Sequence, residues 1–303
     1  MNKTLIVVVG PTAVGKTDFT IRLAKEFSTD IVSADSRQFY KELSIGTAKP
    51  SPEEMQGVKH YFIDSHSIFN PLTAGEFEEE ALELLNQLFL RKDVIILTGG
   101  SGLFIRAVCE GMDEFPDIDP SIREQLNKEL QEKGLEYLTQ ELSQKDPEYA
   151  AIVDLQNPQR VIRALEVIRG TGYPYSSFRT NSKKNRAFNI VKIGLERDRE
   201  ELYERINKRV DLMLEQGLLK EAKQYYEYKD LNALQTVGYS EIYDFMDGKY
   251  DWEEAVRLIK RNTRRYAKRQ LTWFKKDKDI VWFSTGNEAE IIRYVRSQLE
   301  NKK

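Results

Sequence analysis

An α/β fold is predicted, a parallel sheet flanked by helices and interrupted by a helical insertion. Three observations predict it. The apolar, β-branched run Leu5–Val9 leads directly into Gly10-Pro11-Thr12-Ala13-Val14-Gly15-Lys16-Thr17. Strand-like and helix-like stretches then alternate to about Met112, and the alternation resumes at 187–196. Between them, residues 113–185 are polar and helix-favouring, with no convincing strand. The expected division is therefore a catalytic core of 1–112 and 186–303 around an insertion of 113–185.

The octapeptide Gly10–Thr17 matches G-x-x-x-x-G-K-[ST], a phosphate-binding P-loop, which makes the expected fold P-loop NTPase-like. Its glycines let successive backbone N–H groups converge on an anion. The positive end of the following helix points at the same place. Gly10, Thr12, Ala13, Val14, Gly15, Lys16 and Thr17 are thus candidate phosphate ligands, with the Thr17 hydroxyl a candidate Mg²⁺ ligand.

Asp30–Ala34 reads as a second strand, and Thr73-Ala74-Gly75-Glu76 as a capping box opening a helix to about Lys92. Val94–Leu97 is a third, buried strand ending in Thr98-Gly99-Gly100-Ser101. Apolar strands alternating with helices imply a parallel sheet covered on both faces, with ligands at the strands' carboxyl ends. The P-loop, Asp35 and Thr98–Ser101 should share one crevice. In the insertion, Asp119-Pro120 starts a helix that Gly134 stops, and Asn157-Pro158 starts one that Gly170 closes. Later come a strand at 187–196, a helical stretch from Arg199 to Tyr226 broken at Gly217, a helix capped by Asp251 and reaching about Lys275, and a strand at 280–283. No internal repeat is present.

Composition narrows the function. Apolar residues are 40% and charged residues 31% of 303, as in a water-soluble globular protein. No apolar run suits a membrane span or a signal peptide, so no membrane is expected. The single cysteine, Cys109, excludes internal disulfides and cysteine zinc modules, suits a reducing cytoplasm, and reads as a core residue. His60 and His66, the only histidines, fall outside every motif and read as structural or surface groups. No exposed apolar repeat demands a partner, so a monomer is expected. The net charge of −3 conceals basic stretches at 260–278 and 179–186 that suit a polyanion. Arg257, Arg261, Arg264 and Lys268, spaced by four, three and four, form one helical stripe; Val256, Ile259, Tyr266 and Trp273 lie on another face suited to the core.

P-loop phosphoryl transfer usually needs an acid at a neighbouring strand end to hold Mg²⁺. The strand 94–97 ends without one, and no guanine-reading N-K-x-D occurs. Asp35, after the second strand, remains as metal ligand or as base, and a small-molecule or nucleotide kinase stays open as the alternative, as does a non-catalytic RNA-binding module.

Seven blocks decide further: GPTAVGKT (10–17), DSRQFY (35–40), IGTAKP (45–50), TGGSGLF (98–104), PQRVIRALEV (158–167), QTVGY (235–239) and KRQLTWF (268–274). Together and in this order they resemble the tRNA dimethylallyltransferases, from residue 5 to about 283. The resemblance implies transfer of a dimethylallyl group from its diphosphate to the N6 amine of the adenosine beside the anticodon. The partners implied are dimethylallyl diphosphate and the tRNA anticodon stem-loop, with Mg²⁺ as cofactor. The P-loop then grips a leaving group, which explains the missing acid. Asp35 becomes the general base, Arg209 a further cation on the diphosphate, and Ser101 stands where the family usually carries Thr, with Thr98 a nearby alternative hydroxyl. Ser36, Arg37 and Gln38 are placed to read a flipped adenine. Arg123, Gln159, Arg160, Arg163, Gln235, Gly238 and Tyr239 resemble family RNA contacts, and Arg264 and Lys268 suit phosphates. For Tyr239, stacking on a loop base and a place in the core both stand.

Overall fold

The computed structural model describes residues 3–180 and 182–301. In chain order the elements begin with β1 (Thr4–Val9), α1 (Lys16–Glu26), β2 (Ile31–Ser33), α2 (Pro52–Met55), β3 (His60–Tyr61), α3 (Ala74–Phe89), β4 (Val94–Gly99) and α4 (Gly102–Glu110). The helices α5 (Pro120–Lys145), α6 (Pro147–Ala150) and α7 (Pro158–Thr171) follow. The chain then forms β5 (Asn189–Glu196), α8 (Arg199–Glu215), α9 (Leu218–Gln224), α10 (Tyr239–Met246), α11 (Trp252–Phe274), β6 (Ile280–Ser284) and α12 (Glu288–Asn301). It divides into two compact units: one runs to Glu110 and resumes at Asn185, the other is Gly111–Lys184.

The larger unit is built on one sheet of order β3-β2-β4-β1-β5-β6, parallel throughout. β1 is buried along its length, and its side chains alternate between two cores. Leu5, Val7 and Val9 join Phe77 and Leu85 of α3, Val108 of α4, and Ile242 of α10. Ile6 and Val8 join Ile21 and Leu23 of α1, Ile206 of α8, and Val295 of α12. A strand buried on both faces must be apolar at every position, which is why 5–9 shows no polar alternation. The parallel register carries the ends of β1, β2 and β4 to one edge, so the loops after Val9, Ser33 and Gly99 are neighbours.

The smaller unit packs α5, α6 and α7 around Leu126, Leu138, Leu142, Val161, Ile162, Leu165 and Ile168. Buried Asp146 caps α6 and also accepts from the Ser176 backbone and hydroxyl.

Several boundaries differ from expectation. Gly134 breaks the helix as expected, with non-helical φ 80° and ψ 171°, but a second helical stretch follows at once, so that α5 continues past this kink to Lys145. Gly170 lies inside α7, which runs on to Thr171 and is closed by Gly172 at φ 79°. β4 extends two residues beyond Leu97 because Thr98 and Gly99 still pair with Val8 and Val9. On α11 the core face is Ala255, Ile259, Ala267, Gln270 and Phe274, so Trp273 is not a core residue and is 39% exposed. Of the 179–186 cations, Arg186 turns inward to the carbonyls of Ala107 and Val108 and to Glu78, so it is no part of a polyanion surface. Cys109 is buried in α4, where loss of solvation pushes its thiol up to about 12 and leaves it inert. His60 contacts the Val58 carbonyl and His66 lies 3.4 Å from Glu80, both bland roles.

Candidate active site

The loop after β1 bends at Gly10, where a Cβ would stand 2.7 Å from the Leu195 carbonyl oxygen, and only glycine avoids that clash. Ala13 and Gly15 adopt positive φ, and α1 begins at Lys16. The first N–H groups of α1, at Lys16 and Thr17, have no acceptor within the helix and face the bend. Lys16 folds back and donates to the Gly10 and Pro11 carbonyls at 2.9 and 2.8 Å. Loss of solvation lowers its ammonium to about 8; Asp35 acts in the opposite sense and Arg209 in the same sense. Thr17 is exposed. Thr12, expected among the anion donors, gives its N–H to Gln270 Oε1 at 2.8 Å, so that amide is withheld from a ligand while the bond holds.

Asp35 sits just past β2. Its Oδ1 accepts the Arg37 N–H at 3.1 Å in an Asx turn, and no hydrogen-bond partner for its Oδ2 is found among the described residues. The carboxylate lies within electrostatic reach of both Lys16 and Arg209, so these three groups form one cluster. Arg209 is lowered chiefly by burial, and its Nη2 donates to the Ala48 carbonyl at 3.2 Å. Four residues earlier on α8, Arg205 Nε donates to the Ala13 carbonyl at 2.9 Å. One face of α8 therefore holds both the P-loop tip and the loop 44–48. Arg205 escaped sequence reading because an arginine four residues before another on a charged helix looks solvated.

Ser101 lies opposite: its Oγ accepts the Ser36 N–H at 2.9 Å and donates to Ser36 Oγ at 3.0 Å. The alternative, Thr98, gives its hydroxyl to the Val8 carbonyl at 3.1 Å, a strand-end role. Gln38 Nε2 donates to the Thr47 and Ala48 carbonyls at 3.1 and 3.3 Å, and Arg37 reaches Asn232 at 3.5 Å.

Glu221 was also missed. Its carboxylate accepts the N–H groups of Ser44, Ile45 and Gly46 at 2.9–3.0 Å and the Tyr239 hydroxyl at 2.5 Å. Tyr239 is fully buried, so it is a core residue and cannot stack on an RNA base. Gly238 is buried too, with its N–H spent on Glu241 at 2.8 Å, which removes it from a contact surface. Gln235 is exposed, although its Nε2 donates to the Lys229 carbonyl at 2.5 Å. On α11, Lys268 is exposed, while Arg264 Nη1 donates to Asn207 at 2.7 Å. In the smaller unit, Arg123 and Arg163 share the buried Glu166 at 3.0 and 2.9 Å. Gln159 lies 3.4 Å from Arg123, and Arg160 is exposed. Two guanidiniums thus share one carboxylate.

No helix among the described residues is long and apolar enough to cross a membrane. Nor do the described residues gather three or more His, Cys, Asp or Glu side chains as a metal cluster. A cavity of about 550 Å³, lined by Phe27, Lys92, Val94 and Leu299, opens where the strands begin, away from this site.

A parallel sheet whose central strand runs into a G-x-x-x-x-G-K-T loop and the helix after it defines a P-loop α/β protein; its β4 carries no acid. A sequence model described as IPP transferase matches residues 38–277. The chain belongs to the IPP transferase family, and it is an enzyme, a transferase of tRNA modification. It is 56% identical to a tRNA dimethylallyltransferase of Cytophaga hutchinsonii, over 99% of both chains. It is 50% identical to a tRNA dimethylallyltransferase 1 of Bacteroides thetaiotaomicron, over 97% of this chain and 96% of the other. Among solved structures it resembles the full-length tRNA isopentenylpyrophosphate transferase of Bacillus halodurans (39% identity, TM-score 0.74, 99% of this chain and 98% of that one). It also resembles a eukaryotic dimethylallyltransferase acting on tRNA (25% identity, TM-score 0.81, 99% and 80%).

Proposed function

We propose that this chain transfers a dimethylallyl group from dimethylallyl diphosphate to the N6 amine of the adenosine 3′ of the anticodon, in tRNAs reading codons that begin with U. The observation that carries the reading is the placement of the P-loop after β1 and the Asp35 carboxylate after β2 at one edge of the parallel sheet, with Asp35 acting electrostatically on both Lys16 and Arg209.

In the reaction the N6 lone pair attacks the allylic C1, the C1–O bond breaks, and pyrophosphate departs with the bonding electrons. Negative charge builds on the leaving group, where the Lys16 and Thr17 amides, the Lys16 ammonium and Arg209 stabilise it. Asp35 Oδ2 takes the proton released from N6, while Oδ1 stays anchored to the Arg37 N–H. An exocyclic aromatic amine is a weak nucleophile, so this base is worth on the order of 10²–10⁴ in rate. Ser101 and Ser36 hold the acceptor side beside it. Mg²⁺ fits the residues present: one exposed threonine hydroxyl at the start of α1, completed by diphosphate and water oxygens, is a donor set that magnesium accepts. When bound it supplies charge neutralisation on the diphosphate. The exposed cations Arg160 and Lys268, with Arg123, Arg163 and Arg264, suit tRNA phosphates.

The test is incubation with labelled dimethylallyl diphosphate, unmodified tRNA and Mg²⁺, without ATP. Label in the adenosine beside the anticodon is the expected result. ATP consumption with no prenylated product would instead establish the kinase reading.

A further inference from the structure

The end of β4 is where a P-loop enzyme commonly places its metal-holding acid. Here the place is taken by an amide from α11. Gln270 is 6% exposed. Its Oε1 accepts the Thr12 N–H at 2.8 Å, and its Nε2 donates to the Gly100 carbonyl at 3.0 Å. A Cβ at Gly100 would stand 2.2 Å from that Nε2, so the glycine is what admits the amide. Gly100 is followed by Ser101, which holds the Ser36 amide beside Asp35. An unbroken chain of bonds thus runs from the P-loop at Thr12, through Gln270, to the loop that faces the acceptor.

We propose that Gln270 is a positioning residue whose amide sets the separation between the diphosphate cradle and the Ser101–Asp35 side. The proposal rests on the diphosphate reading of the cradle. Each half of the amide has a distinct task. The oxygen withdraws one P-loop N–H from anion binding and fixes the loop's opening; the nitrogen fixes the height of the Gly100–Ser101 turn. Neither task contributes affinity for either substrate taken alone. Both bear on whether C1 and the attacking nitrogen meet at bonding distance and in line, where an error of about 1 Å costs on the order of 10²-fold.

The experiment compares Gln270→Leu, which removes both bonds at similar volume, with Gln270→Glu, which keeps an acceptor for Thr12 and sets an oxygen against the Gly100 carbonyl. Steady-state transfer to unmodified tRNA, inhibition by inorganic pyrophosphate, tRNA binding and thermal melting are measured for both. The expected result is a kcat lowered about 100-fold in Gln270→Leu and about 10-fold in Gln270→Glu. KM for the diphosphate, pyrophosphate inhibition and tRNA binding should stay within about threefold. Gln270→Glu and Gln270→Asn carry the same criterion if Gln270→Leu does not fold. A kcat within about threefold of the parent, a loss carried by KM, or a lowered melting temperature with normal kinetics overturns the proposal. Lys16→Ala, run alongside, tests the cradle separately: undiminished pyrophosphate inhibition there overturns the diphosphate reading and not the kcat split at Gln270.

Discussion

Lys16 donates its ammonium to two carbonyls of its own loop, and the burial of that ammonium makes it a pH-sensitive ligand. Desolvation lowers it to about 8. Below that pH the ammonium is charged before the diphosphate arrives. Above it, binding must draw in a proton, because the anion favours the charged form and raises the pKa in the complex. Affinity for pyrophosphate should therefore fall as pH rises past about 8, approaching tenfold per pH unit. Calorimetry between about pH 7 and 9.5 reads this directly; a flat profile, or the same slope in Lys16→Gln, removes Lys16 as the titrating ligand. Asp35 makes a different prediction. Its Oδ1 is tied to the Arg37 amide, so Asp35→Asn keeps an acceptor for the turn and loses only the base. Turnover should drop about 10²–10⁴-fold while tRNA binding holds. Unchanged turnover would leave the carboxylate as a turn cap.

Between elements, the loop 44–48 shows what sequence conveys and what it conceals. The blocks IGTAKP and QTVGY are legible as motifs, yet nothing in either says why both are needed. Glu221, in neither block, joins them: it binds the Ile45 and Gly46 amides of the first, the Ser44 amide just before it, and the Tyr239 hydroxyl of the second. The loop so held presents the Ala48 carbonyl to Arg209 and to Gln38. Glu221→Gln places donor hydrogens against donor N–H groups. A buried unsatisfied donor costs about 1–3 kcal/mol, so chemical denaturation should show a loss of that size, together with lower turnover through Arg209. Full stability in the variant would mean that the loop holds itself. The basic stripe of α11 was legible from its spacing of four and three, but spacing could not show that Arg264 leans on Asn207 while Lys268 stands clear. Each phosphate contact adds about 0.7–0.9 to the salt slope of nucleic-acid binding. Arg264→Ala with Lys268→Ala should thus flatten the log–log slope for tRNA by about 1.5. An unaltered slope places the RNA surface elsewhere.

At the scale of the whole molecule, the parallel sheet was readable because Leu5–Val9 of β1 and Val94–Leu97 of β4 are unbroken apolar runs, and caps at Thr73, Asp119, Asn157 and Asp251 marked the helices in advance. Short elements set by tertiary contact were not: β3 has two residues and α2 four. The same limit applied to the site. The P-loop and Asp35 could be read from sequence, whereas Gln270 and Glu221 act across long stretches of chain, which no local pattern encodes. One consequence belongs to the fold as a whole. β4 ends in Thr98, whose hydroxyl is tied to Val8, and in Gly99, packed against the Ala34 backbone, and the Gly100 that follows lies against Gln270 of α11. With the amide of Gln270 in the place of an acid, the sheet edge offers no carboxylate on β4 to hold a metal against a γ-phosphate. A nucleoside triphosphate that entered the cradle would find amides and Lys16 but no β4 carboxylate to assist its cleavage. The protein should transfer dimethylallyl to tRNA with Mg²⁺ alone, while releasing no inorganic phosphate from ATP above the uncatalysed rate. Added ATP should act, if at all, as an inhibitor that excess dimethylallyl diphosphate reverses. Phosphate release that scales with enzyme and disappears in Lys16→Ala would show that this sheet edge hydrolyses nucleotides after all, and would return the cradle to the phosphoryl-transfer enzymes.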